Sequence, residues 1–150
     1  MADPRDCPCC SGKRYAVCCR PYHQGAEPPD CPALVRSRFA AYALKDIDYL
    51  ARTLHPEHPD RKRSREELTR ELRVICKALK FVRLQILADE SGVDAARVLF
   101  LAEIFDSGKE RSFVELSSFQ RAEGGYRYLS GRTRERKDVG DPAALSIATF

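Results

Sequence analysis

Five of the chain's seven cysteines fall within one short stretch, Cys7-Pro8-Cys9-Cys10-Ser11-Gly12-Lys13-Arg14-Tyr15-Ala16-Val17-Cys18-Cys19. They form two thiol pairs, C-x-C and C-C, with eight residues between Cys9 and Cys18. Four thiolates in two pairs close a tetrahedral shell around zinc, whose Zn–S distance of about 2.3 Å tolerates tight turns, and Ser11-Gly12 supplies the reversal between the pairs. Four ligands make Cys7, Cys9, Cys18 and Cys19 the candidate shell. Cys10 is then surplus, either a substitute ligand or a free, oxidisable thiol. Adjacent Cys18 and Cys19 do not match the usual iron–sulfur spacings. Catalytic zinc keeps an open position, whereas four cysteines fill the shell, so this zinc would be structural. A peptide of about 20 residues has too little core to fold alone, which makes metal binding and folding of the segment a single event. His23, close behind the pairs, ranks below the four cysteines as a ligand.

The rest of the composition limits the alternatives. Of 150 residues, 43% are hydrophobic and 32% charged, the balance of a globular protein. The longest apolar run, Phe39 to Leu44, is six residues, against about 20 for a membrane span. No apolar segment resembling a signal peptide follows Met1, and an odd cysteine count favours reduced thiols, so the expected compartment is the cytoplasm. The net charge of +4 is unevenly spread: Arg61 to Arg83 carries nine Lys or Arg against three Glu, and Leu84 to Tyr126 four against eight Asp or Glu.

The elements that must position this chemistry follow from periodicity. Gln24 to Cys31, with Pro28-Pro29, reads as a linker. Leu34, Val35, Phe39, Tyr42 and Ala43 then trace a helix over 33–44. Asp46 or Asp48 caps a second helix that Pro56 stops at His55. Ser64-Arg-Glu-Glu67 is a capping box opening a third helix over 65–79. Beyond Lys80, four β-rich runs (80–88, 96–105, 111–121 and 125–130) are separated by turn residues. Three helices followed by an antiparallel meander give an α+β domain, helices on one face of a curved sheet. The charged segment after Ser130 reads as loosely held. The chain thus divides into a zinc-binding knuckle (1–23), a linker (24–32), a helix-and-sheet domain (33–131) and a tail (132–150).

Cys7-x-Cys9-x-Ser11-Gly12, eight residues between the inner ligands, and Cys18-Cys19 together resemble the SEC-C motif, a zinc-binding element also found at the C-terminus of the bacterial preprotein-translocation ATPase. The continuation is similar to the YchJ family of small bacterial proteins: Tyr15, Cys18-Cys19, Pro21-Tyr22, then Leu34-Val35-Arg36-Ser37-Arg38-Phe39 with Tyr42, then Asp48-Tyr49-Leu50 ahead of His55-Pro56. The resemblance covers nearly all of residues 7–131. It implies a zinc motif joined to a domain like nuclear transport factor 2 (NTF2), a cone of three helices wrapped by a curved sheet. Two positions depart from the family pattern. Cys10 stands where the motif usually has glycine, and Val114 replaces the histidine of a His-Glu-x-Ser-x-Phe strand that here reads Val114-Glu115-Leu116-Ser117-Ser118-Phe119. Chemistry that needs an imidazole there does not carry over.

A cone of this kind leaves a cavity, a common ligand site. By the period of two, Phe113, Glu115, Ser117 and Phe119 share one strand face, a carboxylate and a hydroxyl between two phenylalanines. Arg36 or Arg38 on the first helix would pair with Glu115 or with an anionic ligand, and Glu103 is a further candidate. Three functional readings follow. The first is a zinc-binding protein of the YchJ type, acting as an adaptor with a protein partner at the knuckle or as a small-ligand binder. The second is an enzyme using Glu115 with Arg38 or His55 in the cavity, which needs a carboxylate of raised pKa in a dry site. The third is a ribosome- or nucleic-acid-associated module, by analogy with other carriers of the motif, using Arg65, Arg70, Arg73 and Lys77; Glu66, Glu67 and Glu71 dilute that patch. None of the three involves a membrane.

Overall fold

The computed structural model describes residues 6–150; the first five residues of the expected knuckle lie outside this range. Four helices, α1 (Arg20–His23), α2 (Cys31–Leu44), α3 (Ile47–Arg52) and α4 (Arg65–Ala78), precede five strands, β1 (Leu79–Ser91), β2 (Ala95–Asp106), β3 (Lys109–Glu110), β4 (Phe113–Ala122) and β5 (Gly125–Glu135). The sheet is antiparallel in the order β1-β2-β4-β5, with β3 paired to β2. Register shifts in β1 and between β4 and β5 at Ser118/Phe119 bend it, as bulges do.

Capping explains the helix limits. Asp30 accepts the Ala33 amide at 2.8 Å, so α2 begins at Cys31, two residues earlier than the apolar pattern suggests and inside the expected linker; Pro32 is tolerated in the first turn, where its missing amide has no intrahelical partner. Asp46, not Asp48, caps α3 through the Tyr49 amide. Ser64 caps α4 as the capping box requires. The second helix ends at Arg52 rather than His55 because the next residues turn into the sheet: the Tyr128 amide donates to the Thr53 carbonyl and the His55 amide to the Tyr128 carbonyl, both at 2.8 Å, covering the β5 edge.

The two faces of the sheet are apolar for different reasons. The inner face packs Leu84, Ala96, Val98, Ala102, Ile104, Phe119 and Tyr126 against Leu34, Val35 and Phe39 of α2. On the outer face, Leu99, Leu101, Val114 and Leu116 are buried under Val139, with Leu145, Ile147 and Phe150 beside them. The segment after Ser130 is therefore not a loose tail. It first extends β5 to Glu135 and then covers an apolar surface, with Phe150 within cation–π distance of Arg132 and Arg134 at 5.8 and 5.6 Å. Among the described residues no helix is long and apolar enough to cross a membrane.

Candidate metal centre and cone cavity

The sulfur atoms of Cys7, Cys9, Cys18 and Cys19 all lie within 4.8 Å of one another, a cluster that could hold a metal ion. Cys9 Sγ is 3.6 Å from Cys18 Sγ, which is 3.9 Å from Cys19 Sγ. Local backbone bonds set this convergence: the Cys7 amide donates to the Lys13 carbonyl, the Cys10 amide to the Cys7 carbonyl, and a single 3-10 turn over Tyr15–Val17 returns the chain to Cys18-Cys19. Ser11 Oγ accepts the Lys13 amide and lies 3.1 Å from Cys18 Sγ. Hydrogen bonds from Cys19 and Cys7 push the Cys9 thiol far below its ordinary pKa, and contacts with Cys7 and Cys9 push Cys19 far above it. Sulfurs this close repel one another as thiolates, and a soft dication bound to all four removes that repulsion.

Cys10 is excluded from the cluster. It is exposed, its Sγ points at the Pro8 carbonyl 3.6 Å away, and its φ of 66° lies in the left-handed region. That angle accounts for the motif's usual glycine, which adopts it without strain. His23 is excluded too, because both ring nitrogens are engaged: Nε2 donates to the Ser37 carbonyl at 2.8 Å, and Nδ1 accepts the Tyr15 hydroxyl at 2.7 Å. Burial raises Tyr15 to a pKa of about 12, so it remains a donor.

The knuckle is seated on the domain by α2. Ala40, fully buried, packs against Cys7, Cys9 and Cys19. Arg36 donates from Nη1 to the Cys9 carbonyl at 2.9 Å, so it serves the knuckle and not the cavity. Arg52 reaches the Tyr22 and His23 carbonyls while lying 4.6 Å over the Tyr49 ring. The linker is held as well: Glu27 makes a two-pronged ion pair with buried Arg127 at 2.8 and 2.9 Å.

Between α2, the end of α4 and the inner sheet face lies a cavity of about 220 Å³. Four of the expected residues on β4, Phe113, Glu115, Ser117 and Phe119, line it together with Arg38. Glu115 Oε2 accepts from the Ser117 hydroxyl and from Tyr128 at 2.8 Å. Burial, reinforced by the Glu115 charge, pushes the Tyr128 phenol far above its ordinary pKa, so it stays protonated and donating. Arg38, 9% exposed, donates from Nη1 to the Leu50 carbonyl and to Thr53 Oγ1 at 2.9 and 2.6 Å, and its guanidinium carbon lies 5.0 Å over the Tyr128 ring. Tyr128 thus stands between the arginine and the carboxylate. Gly131 makes this possible, since a Cβ there would collide with Glu115 Oε2 and the Tyr128 hydroxyl.

Two candidates fall elsewhere. Glu103 is on the outer face, 3.2 Å from Arg83 Nε, beside a polar groove of about 620 Å³; its neighbours Ala102 and Ile104 take the inward positions of β2. His55 does not line the cavity: its Nδ1 accepts the Glu57 amide at 3.0 Å. The imidazole of the enzyme reading therefore has no place at Glu115. On α4, Arg65 is paired with Asp48, while Arg70, Arg73 and Lys77 are exposed. Tyr126 and Tyr128 share one face of β5 by the period of two, which suits core or pocket lining, and Tyr128 does line the cavity. Its bond to Glu115, and the part played by Thr53, depend on long-range packing that has no sequence signature.

The sequence profile described as the YchJ middle NTF2-like domain matches residues 30–131. A UPF0225 protein of Bordetella pertussis is 34% identical over 137 residues, 89% of this chain and 96% of that one. A UPF0225 protein of Deinococcus radiodurans is 56% identical over 54 residues, 35% of this chain and 42% of that one. The solution structure of a SEC-C motif containing protein from Rhodopseudomonas palustris superposes with a TM-score of 0.74 at 34% identity, covering 84% of this chain and 96% of that one. A crystal structure of a SEC-C motif containing protein from Psychrobacter arcticus, at 21% identity, shares the fold with a TM-score of 0.72 over 87% of this chain and 84% of that one. With the cysteine cluster in front and the NTF2-like domain matched from its first helix to its last strand, the chain belongs to the YchJ family.

Proposed function

We propose that this protein is a zinc-stapled small-ligand binder: Cys7, Cys9, Cys18 and Cys19 hold one structural Zn2+, and the NTF2-like domain takes a small molecule at Arg38 and Glu115. The observation that carries the zinc assignment is the sulfur geometry. Four sulfurs about 2.3 Å from a central zinc stand about 3.8 Å apart, and the contacts of 3.6 and 3.9 Å match that spacing. An all-thiolate donor set suits zinc and leaves no position for substrate. The metal's contribution is to fold the knuckle and hold it, through the Cys9 carbonyl and Arg36, on α2. Zinc ligation by four thiolates needs reduced cysteines, which suits a cytoplasmic protein.

We read the cavity as a binding site: among the described residues its lining is mostly apolar, with Arg38 and Glu115 as its charged groups. Its volume lies below the drug-sized range of about 300–1,000 Å³, which points to a small metabolite. Metal analysis joined to native mass spectrometry of the freshly purified chain tests both halves. One zinc per chain, absent in Cys18→Ser together with amide protection over residues 6–23, is the expected result, with a small molecule retained by wild type. A protected, metal-free knuckle contradicts the zinc assignment.

A further inference from the structure

The cavity holds two charged side chains of opposite sign, and each has hydrogen-bonding capacity left over. Within 3.5 Å all hydrogen bonds of Arg38 run from Nη1, and the neighbouring group that interacts with its guanidinium across the cavity is the Tyr42 hydroxyl. Glu115 uses Oε2 for both of its donors, and Oε1 has none. These atoms are not sealed in: among the described residues the buried side-chain nitrogen or oxygen lacking a partner is Nε of Arg127, which does not line the cavity. They are therefore reached through the cavity both residues line. Arg38 and Glu115 make no direct ion pair among the described residues, since Tyr128 lies between them, under the guanidinium and bonded to the carboxylate. In a lining that is mostly apolar and includes Tyr42, Phe81, Phe100 and Phe113, the cavity presents a guanidinium edge and a carboxylate oxygen that a ligand carrying both charges can meet in place of water.

Resting on the ligand-binding reading above, we infer that the cavity binds a small zwitterion with an apolar body, an apolar α-amino acid or an amino-carboxylate of like size. Its carboxylate meets the free guanidinium edge of Arg38, a geometry suited to planar, two-pronged pairing. Its ammonium meets Glu115 Oε1, a carboxylate fixed in place by Ser117 and Tyr128 over Gly131. The apolar body lies against the aromatic wall, where Tyr42 and Phe81 are stacked at 4.8 Å. A singly charged ligand would leave one of the two groups unpaired, and a neutral one would leave both, which is how such a site discriminates.

Isothermal titration calorimetry on the full, zinc-loaded chain tests this with four probes sharing one ring: L-phenylalanine, phenethylamine, 3-phenylpropionate and 2-phenylethanol. The expected result is that phenylalanine binds about tenfold or more tighter than each of the others. Arg38→Gln removes its advantage over phenethylamine, and Glu115→Gln its advantage over phenylpropionate. Tighter or equal binding by a singly charged probe or by phenylethanol overturns the zwitterion assignment while leaving a ligand cavity standing. Failure of all four to bind, with amide resonances of Phe113 to Phe119 unmoved, overturns the cavity reading and this inference with it. The wild-type ranking decides even if a variant misfolds.

Discussion

The knuckle and the cone cavity are both built around groups that dislike being buried alone, and they resolve the problem in opposite ways. In the knuckle, four sulfurs converge on one point and neighbouring polar groups bond to the knuckle itself or to the domain under it: His23 at both nitrogens, Ser11 at Cys18, Arg36 at the Cys9 carbonyl. In the cavity, Arg38 and Glu115 are each held by firm contacts on one side and left unpaired on the other. A closed constellation is what a structural staple requires. A half-satisfied one leaves its remaining bonding capacity to water in the free protein, and a ligand that completes it takes the place of that water. The two sites are also separate, one on each side of α2, so they should fail independently.

The strongest test of that independence is Cys9→Ser, which removes the most deeply buried sulfur of the cluster. Zinc binding in such sites is worth on the order of 10 kcal/mol, so the variant should lose metal and amide protection over residues 6–23. Its cone should keep cooperative unfolding and phenylalanine affinity within about twofold. Loss of cavity binding in a folded cone would mean that the two regions are coupled. Next in size is truncation before Val139, which uncovers Leu99, Leu101, Val114 and Leu116 on the outer face. It should cost about 3 kcal/mol in denaturant unfolding and produce concentration-dependent association in sedimentation, with both sites intact.

Arg36 and Arg38 sharpen the comparison further. Arg36→Met should cost about 1.5 kcal/mol and speed zinc loss to a chelator without altering the cavity. Arg38→Gln should leave zinc retention unchanged and impair the ligand site. Matching effects from the two would contradict the assignment. Cys10→Gly, relieving a left-handed cysteine, should stabilise by about 1 kcal/mol with zinc content unchanged. The smallest effect concerns the linker. Arg127 holds the Glu27 carboxyl below its ordinary value of 4.5. Its contribution to stability is therefore fully present above about pH 4.5 and lost as pH falls through the depressed value. The difference in melting temperature between wild type and Glu27→Gln should be widest near neutral pH and shrink below pH 4.5.

Much of this arrangement is legible in the sequence where it depends on local spacing. The ligand set follows from C-x-C and C-C, and the inward face of β4 from the alternation Phe113, Glu115, Ser117, Phe119. What sequence could not supply is the partner of each face. Two helix positions two residues apart point about 200° away from each other, so Arg36 and Arg38 cannot both enter one cavity, but which of them does depends on where α2 meets the sheet. Glu103 alternates correctly with Ala102 and Ile104, yet only the pairing of Phe100 with Glu115 reveals that it faces outward. The apolar residues Val139, Leu145, Ile147 and Phe150 are too sparse among charges to predict a packed segment. They become a cover because the outer face of β2 and β4 needs one.

The central claim is that four cysteines, and neither Cys10 nor His23, form a closed zinc shell. X-ray absorption at the zinc edge of the purified wild-type chain reports that shell directly. The predicted spectrum has four sulfur scatterers at about 2.3 Å and no lighter neighbour, unchanged in Cys10→Gly. A nitrogen or oxygen scatterer at about 2.0–2.1 Å, or a shell that alters when Cys10 is replaced, would contradict it.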